Sequence, residues 1–146
     1  MGNYHCSDFG TDKHNILMRF ETEQDLANEL EVMRQFAKGH QFHKLGDNDL
    51  DFTIPGRCFV EVKCINSSST QYKTQIISLI KLVKMQERAR ELPTFIVFRY
   101  TDAIKYINFK DIDGYVRHSG REQREGAAND RELLLFVDRS KLIELK

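Results

Sequence analysis

The sequence predicts an α/β fold, a mixed central β-sheet with α-helices packed against it, and three observations predict it. Apolar residues recur at helical spacing through residues 23–38. Residues 49–63 alternate with a period of two, as strands do. Residues 94–100 (Thr-Phe-Ile-Val-Phe-Arg-Tyr) form a nearly continuous apolar run, the mark of a strand buried on both faces. Helical and extended segments alternate along the chain, which argues for helices laid on a sheet. The length, 146 residues, fits one domain (1–146) able to bury a core, and no internal repeat or linker interrupts it.

Thr22 is an N-cap with Asp25 three positions on, and Gly39 is a natural residue to follow the last turn, so residues 23–38 read as a helix. Leu26, Leu30, Met33, Phe36 and Ala37 supply its apolar stripe. Residues 40–45 form a first strand, closed by the turn Gly46-Asp47-Asn48. A hairpin over 49–63 and a polar loop, Asn66-Ser67-Ser68-Ser69, come next. Residues 70–91 are expected to be a second, longer helix burying Ile76, Ile77, Leu79, Ile80, Val83 and Met85, with Pro93 ending it. The apolar strand follows, then a strand at 103–109, a polar stretch over 110–131 and a final strand at 133–137.

Composition narrows the function classes. The 22 basic and 22 acidic side chains cancel, so no global basic field marks a histone-like or coating protein. Cys6, Cys58 and Cys64 are odd in number and at no metal-ligand spacing, and the five histidines show no zinc pattern. Cys58 and Cys64 share a strand face and read as reduced core residues, which suits a cytoplasmic protein. The opening residues hold no apolar signal-peptide core and no run approaches membrane-spanning length, so no membrane partner is expected.

The hairpin carries the chemistry. Leu50, Phe52 and Ile54 point one way, and Asp49, Asp51 and Thr53 the other. On the return strand Cys58, Val60 and Val62 oppose Phe59, Glu61 and Lys63. Setting Asp51 across from Glu61 places Asp49 across from Lys63 and stacks Leu50–Val62, Phe52–Val60 and Ile54–Cys58 behind them. A one-residue slip would reverse every face, and a two-residue loop gives the wrong parity, so Pro55–Arg57 must be a three-residue loop or a bulge. On the preceding helix Glu29 falls on the apolar face between Leu26 and Met33, unlike Glu23 and Glu31. A carboxylate there either escapes to solvent, pairs with Lys63, or leans over the sheet end that holds Asp51 and Glu61.

Converging carboxylates form a hard-oxygen site suited to Mg²⁺ or Mn²⁺. Asp51 and Glu61 would be ligands, the Val62 carbonyl could supply another oxygen, and Lys63 could orient a water or meet the charge that grows on a phosphate. This set suits phosphodiester hydrolysis. Acyl transfer is poorly served, since neither a Ser-His-Asp arrangement nor a Gly-x-Ser-x-Gly elbow is present.

Asp51, nine residues, then Glu61-Val62-Lys63, behind a helix bearing Glu29, resembles the PD-(D/E)XK nuclease superfamily. The hairpin is similar to that of phage junction-resolving endonuclease I in its Asp-Phe, Pro, short turn and Phe-Val-Glu-x-Lys at the same spacing. The resemblance implies a restriction-endonuclease-like core with Asp51 and Glu61 as metal ligands, Lys63 serving the attacking water and Glu29 as the helix acid. It departs from the pattern at Leu50, where proline is usual. DNA is the implied substrate, a homodimer the implied assembly and a phage or mobile element the implied origin. Close similarity covers about fifteen residues, and the rest matches only in order of elements.

Further candidates are weaker. Asp49 is a solvated turn residue or an outer-layer acid, and for Gln75, placed early in the second helix, the resemblance implies a polar neighbour of Lys63, with a plain helix-surface residue as the alternative. Ser69 and Lys73 could meet phosphate at a helix N-terminus, or the serine could merely cap it. Arg117, Arg121 and Arg124 could grip DNA from the polar loop, although Glu122 and Glu125 cancel part of that charge. Alternative functions are a dedicated Holliday-junction resolvase, a catalytically inactive DNA-binding relic of the fold, and an enzyme acting on small phosphate esters.

Overall fold

The computed structural model describes residues 22–120 and 131–146. The chain divides into two compact units, passing from one to the other at Gly39–His40. In the first, helix α1 spans Glu23–Ala37. The Thr22 hydroxyl accepts from the Asp25 amide at 2.9 Å, and the Asp25 carboxylate accepts from the Thr22 amide at 3.3 Å, a reciprocal capping box. Lys38 and Gly39 then turn left-handed, at φ 50° and 92°, and end the helix where the sequence predicts. Val32, Met33 and Ala37 are buried on it, and Glu29 is half-buried.

The second unit is built on a six-stranded mixed sheet. Its strands are β1 (His43–Lys44), β2 (Phe52–Ile54), β3 (Cys58–Cys64), β5 (Thr94–Arg99), β6 (Ile104–Asn108) and β9 (Ile143–Glu144), in the spatial order β9-β6-β5-β3-β2-β1. Only β3 and β5 run parallel among these pairs, joined by a crossover that contains β4 (Thr74–Ser78) and helix α2 (Leu79–Ala89). β4 belongs to a second, three-stranded antiparallel sheet with β8 (Arg131–Asp138) and β7 (Tyr115–Gly120), in the order β4-β8-β7. Between them lies a core that includes Phe59, Ile77, Met85, Ile96, Phe98 and Val137.

The segment expected to be one helix over 70–91 is therefore split. Thr74, Ile76 and Ile77 are β-branched, and the edge of β8 offers a complete ladder, so tertiary pairing overrides the helical reading. Ser78 marks the true start of α2, its hydroxyl accepting from the Ile80 amide at 3.2 Å. Leu79, Leu82 and Met85 are the inward stripe of α2. Ile80 and Val83, expected in the core, face outward at 65% and 56% exposure, and Ile76 is also exposed. The polar stretch over 110–131 contains β7, and Cys64, expected in the core, is exposed at the end of β3 while Cys58 is buried.

Gly114 fits where no side chain could. A Cβ there would overlap the Phe136 carbonyl oxygen and lie 3.0 Å from its carbon. The Gly114→Ala variant is therefore expected to lose about 1–3 kcal/mol of stability, read as a lower urea midpoint at unchanged slope.

Candidate active site

The hairpin forms in the predicted register, Phe52 opposite Val60 and Ile54 opposite Cys58. The loop has three residues: the Arg57 amide donates to the Ile54 carbonyl at 2.9 Å, and Gly56 sits at φ 74° after Pro55, as a type II turn requires. Continued outward, this register sets Asp51 against Glu61 and Leu50 against Val62. There the ladder opens. The Val62 amide donates to Asp51 Oδ2 at 2.9 Å, and the Leu50 amide donates to Asp49 Oδ1 at 2.7 Å. An unbroken antiparallel ladder would join those two amides to the Leu50 and Val62 carbonyls. Side-chain carboxylates have taken the amides instead. Because a strand residue's N–H and C=O point the same way, the Val62 carbonyl faces the Asp51 side.

Glu61 is 6% exposed, yet it is an acid. Its Oε2 meets the Lys81 ammonium at 2.8 Å, and its Oε1 is buried with no hydrogen-bond partner among the described residues. Burial first, then the neighbouring Asp51 charge, pushes its carboxyl up to about 7 against the pull of Lys81 and, more weakly, Lys63. Asp51 Oδ1 lies 3.7 Å from Lys44 Nζ on β1. Lys63 follows on the same face of β3, exposed, at the wall of a cleft of about 590 Å³.

A divalent cation fits these residues. The unpartnered Glu61 oxygen, the Asp51 carboxylate beside it and the Val62 carbonyl are hard oxygen donors of the type such ions take. The described residues contain no cluster of three or more His, Cys, Asp or Glu side chains arranged to hold a metal, so the acids here are a pair.

The other predicted residues are distributed differently. Asp49 is half-buried rather than a solvated turn residue. It is held in a two-point pair by Arg88 of α2, Oδ1 to Nε at 3.0 Å and Oδ2 to the guanidinium. That pair keeps its carboxyl below the usual range. Gln75 lies on β4 rather than a helix, buried, and its side-chain oxygen accepts from the Tyr100 hydroxyl at 2.6 Å. Burial pushes Tyr100 up to about 12, so it remains a donor. Gln75 lines the same cleft as Lys63.

Ser69 caps no helix, because none starts there. Its amide and hydroxyl both donate to the Asp102 carboxylate, at 2.8 and 3.0 Å. Lys73 is exposed just before β4, and Arg117 is exposed on β7 with its guanidinium 5.4 Å from the Phe136 ring centre. Arg121 and Arg124 lie outside the described residues, and Glu29 belongs to α1 in the first unit.

Lys44, Lys81 and Arg139 are site residues that pattern reading missed. Arg139 is buried, donates to the carbonyls of Thr74, Ser68 and Ser69, and lines the cleft. Lys44 was reachable through strand pairing. Lys81 and Arg139 had no sequence signal, because they reach the site from elements whose placement depends on the second sheet.

Fold and hairpin together define a restriction-endonuclease-like nuclease. The chain belongs to the family described as "Phage putative PDDEXK endonuclease", whose model matches residues 16–145. Among solved structures it is similar to Hjc of Archaeoglobus fulgidus, a Holliday junction resolvase from an archaeal hyperthermophile. The identity is 11%, the TM-score 0.53, and the match covers 82% of this chain and 94% of that one. The comparison with curated proteins gives no match. No helix among the described residues is long and apolar enough to cross a membrane.

Proposed function

We propose that this chain is a divalent-cation-dependent DNA endonuclease that uses Asp51, Glu61, Val62 and Lys63. The observation that carries this reading is the buried Glu61 oxygen left without a donor beside a second carboxylate. Mg²⁺ or Mn²⁺ held there would add positive charge at the attacking water and the phosphate oxygens. Asp51 is oriented for this by the Val62 amide, which holds one of its oxygens. Lys81 balances Glu61 at its other oxygen, so the acid pair need not sit uncompensated in the folded chain. Lys63, at the cleft wall, meets the scissile phosphate and orients the water for in-line attack. An inert relic of the fold would have no reason to keep a buried, partly unpaired acid at this position.

The test is nicking of supercoiled plasmid by purified protein with EDTA, Mg²⁺, Mn²⁺ or Ca²⁺. Products are expected only with Mg²⁺ or Mn²⁺. Absence of cleavage on plasmid, single strands and four-way junctions alike would overturn the reading. Likeness to an archaeal resolvase makes junction DNA the second substrate to try, and pairing of two copies would present two sites to two strands.

A further inference from the structure

The cleft beside Lys63 is larger and more apolar than a phosphate needs. Beyond Lys63 its apolar walls include Tyr72, Ile76, Leu134 and Phe136, and its polar members are Ser67, Thr74, Gln75, Ser78, Glu132 and Arg139. Tyr72 and Ile76 are 59% and 39% exposed, so apolar surface is offered at the mouth rather than packed away. Tyr72 is held by Arg139, whose guanidinium lies 5.7 Å from its ring centre. Phe136 is fixed on its other flank by stacking on Tyr115, with ring centres 5.2 Å apart and planes 7° from parallel. The Ser67 hydroxyl is buried with no hydrogen-bond partner among the described residues.

A concave site of this volume, with an apolar and aromatic wall facing polar side chains, has the form of a small-ligand pocket. We propose that it seats one unpaired nucleoside of the strand being cut, its base against Tyr72 and Ile76 and a polar edge met by the Ser67 hydroxyl. The choice of an unpaired nucleoside is physical. A paired duplex presents sugars and phosphates outward, and only a base outside the stack can bury a π-face in a cleft. Lys63 lies in the same wall, so the adjoining phosphate reaches the acid pair as the base enters. This rests on the endonuclease reading and extends it to a substrate class: DNA with unpaired nucleotides at the incision point.

Two measurements test it. The first compares cleavage of a duplex carrying one unpaired nucleotide at the incision point with the fully paired duplex of the same sequence. The unpaired substrate is expected to be cut about tenfold faster. Ile76→Trp, which fills the cleft, and Tyr72→Ala, which removes a wall, should each bring the ratio towards one. Reading the ratio removes any loss of folding or catalysis common to both substrates. The second follows quenching of 2-aminopurine in a single strand in EDTA, expected with the wild type and lost in Ile76→Trp at an unchanged melting curve. Equal cleavage of both duplexes overturns the pocket and leaves the endonuclease reading standing. Quenching unaffected by Ile76→Trp also overturns it. If no DNA is cut, the endonuclease reading fails and the substrate class fails with it, whether or not quenching depends on Ile76.

Discussion

Replacing Lys63 with alanine is expected to lower plasmid nicking by about 10²–10⁴-fold while divalent-cation binding is retained. Lys63 is exposed at the end of a strand whose residues 58–62 are all buried, so its removal opens no cavity and costs little stability. Its ammonium contributes only weakly to the charge balance of Glu61, behind burial, Asp51 and Lys81. The acid pair should therefore keep its cation affinity, read by Mn²⁺ titration or by the rise in melting temperature on adding Mg²⁺. Loss of cation binding along with activity would instead make Lys63 a positioning residue for Glu61. Full activity in the variant would remove Lys63 from the mechanism.

Glu61→Gln should abolish cation-dependent cleavage and, in metal-free buffer, stabilise the fold at alkaline pH. The folded-state carboxyl is raised from 4.5 to about 7, so the folded protein binds the proton more tightly than the unfolded chain does. Its contribution to stability is complete below about pH 4.5 and is lost as pH rises to and through about 7. Glutamine stays neutral and avoids that loss. At pH 8 with EDTA the variant is expected to be more stable by about 1–3 kcal/mol, and at pH 4 by nearly nothing. Lys81 does not reverse the sign, since its side chain is 37% exposed and can turn to water once its partner is neutral. Urea melts at the two pH values check this. A variant less stable than the wild type at pH 8 would show that the Lys81 pair outweighs the burial of charge. Added Mg²⁺ should raise the melting temperature of the wild type and not of the variant.

Legibility was uneven, and it followed interaction range. The capping box at Thr22 and the left-handed exit at Gly39 are local, and α1 formed within one residue of its predicted end. The hairpin was legible because a period of two, one proline and one glycine leave only one register parity. The apolar spacing of residues 70–91 satisfies a helix, and the competing partner, β8, lies more than fifty residues downstream. Local spacing therefore points Ile76, Ile80 and Val83 inward, places Gln75 on a helix and gives Ser69 a cap to make, and pairing with β8 overrides each of these.

The hairpin and the shared face of Asp51, Glu61 and Lys63 are readable from the sequence, because strand periodicity and turn stereochemistry act over a few residues. The superfamily is readable as a resemblance of motif. How the acids are electrically held depends on contacts that form across the folded chain. Lys81 and Lys44 approach Glu61 and Asp51 from α2 and β1, Arg88 pairs with Asp49, and β4 and β8 build the cleft beside Lys63. Long charged side chains reach across whatever the fold sets within a few ångströms of them, and that neighbourhood is a property of topology rather than of spacing.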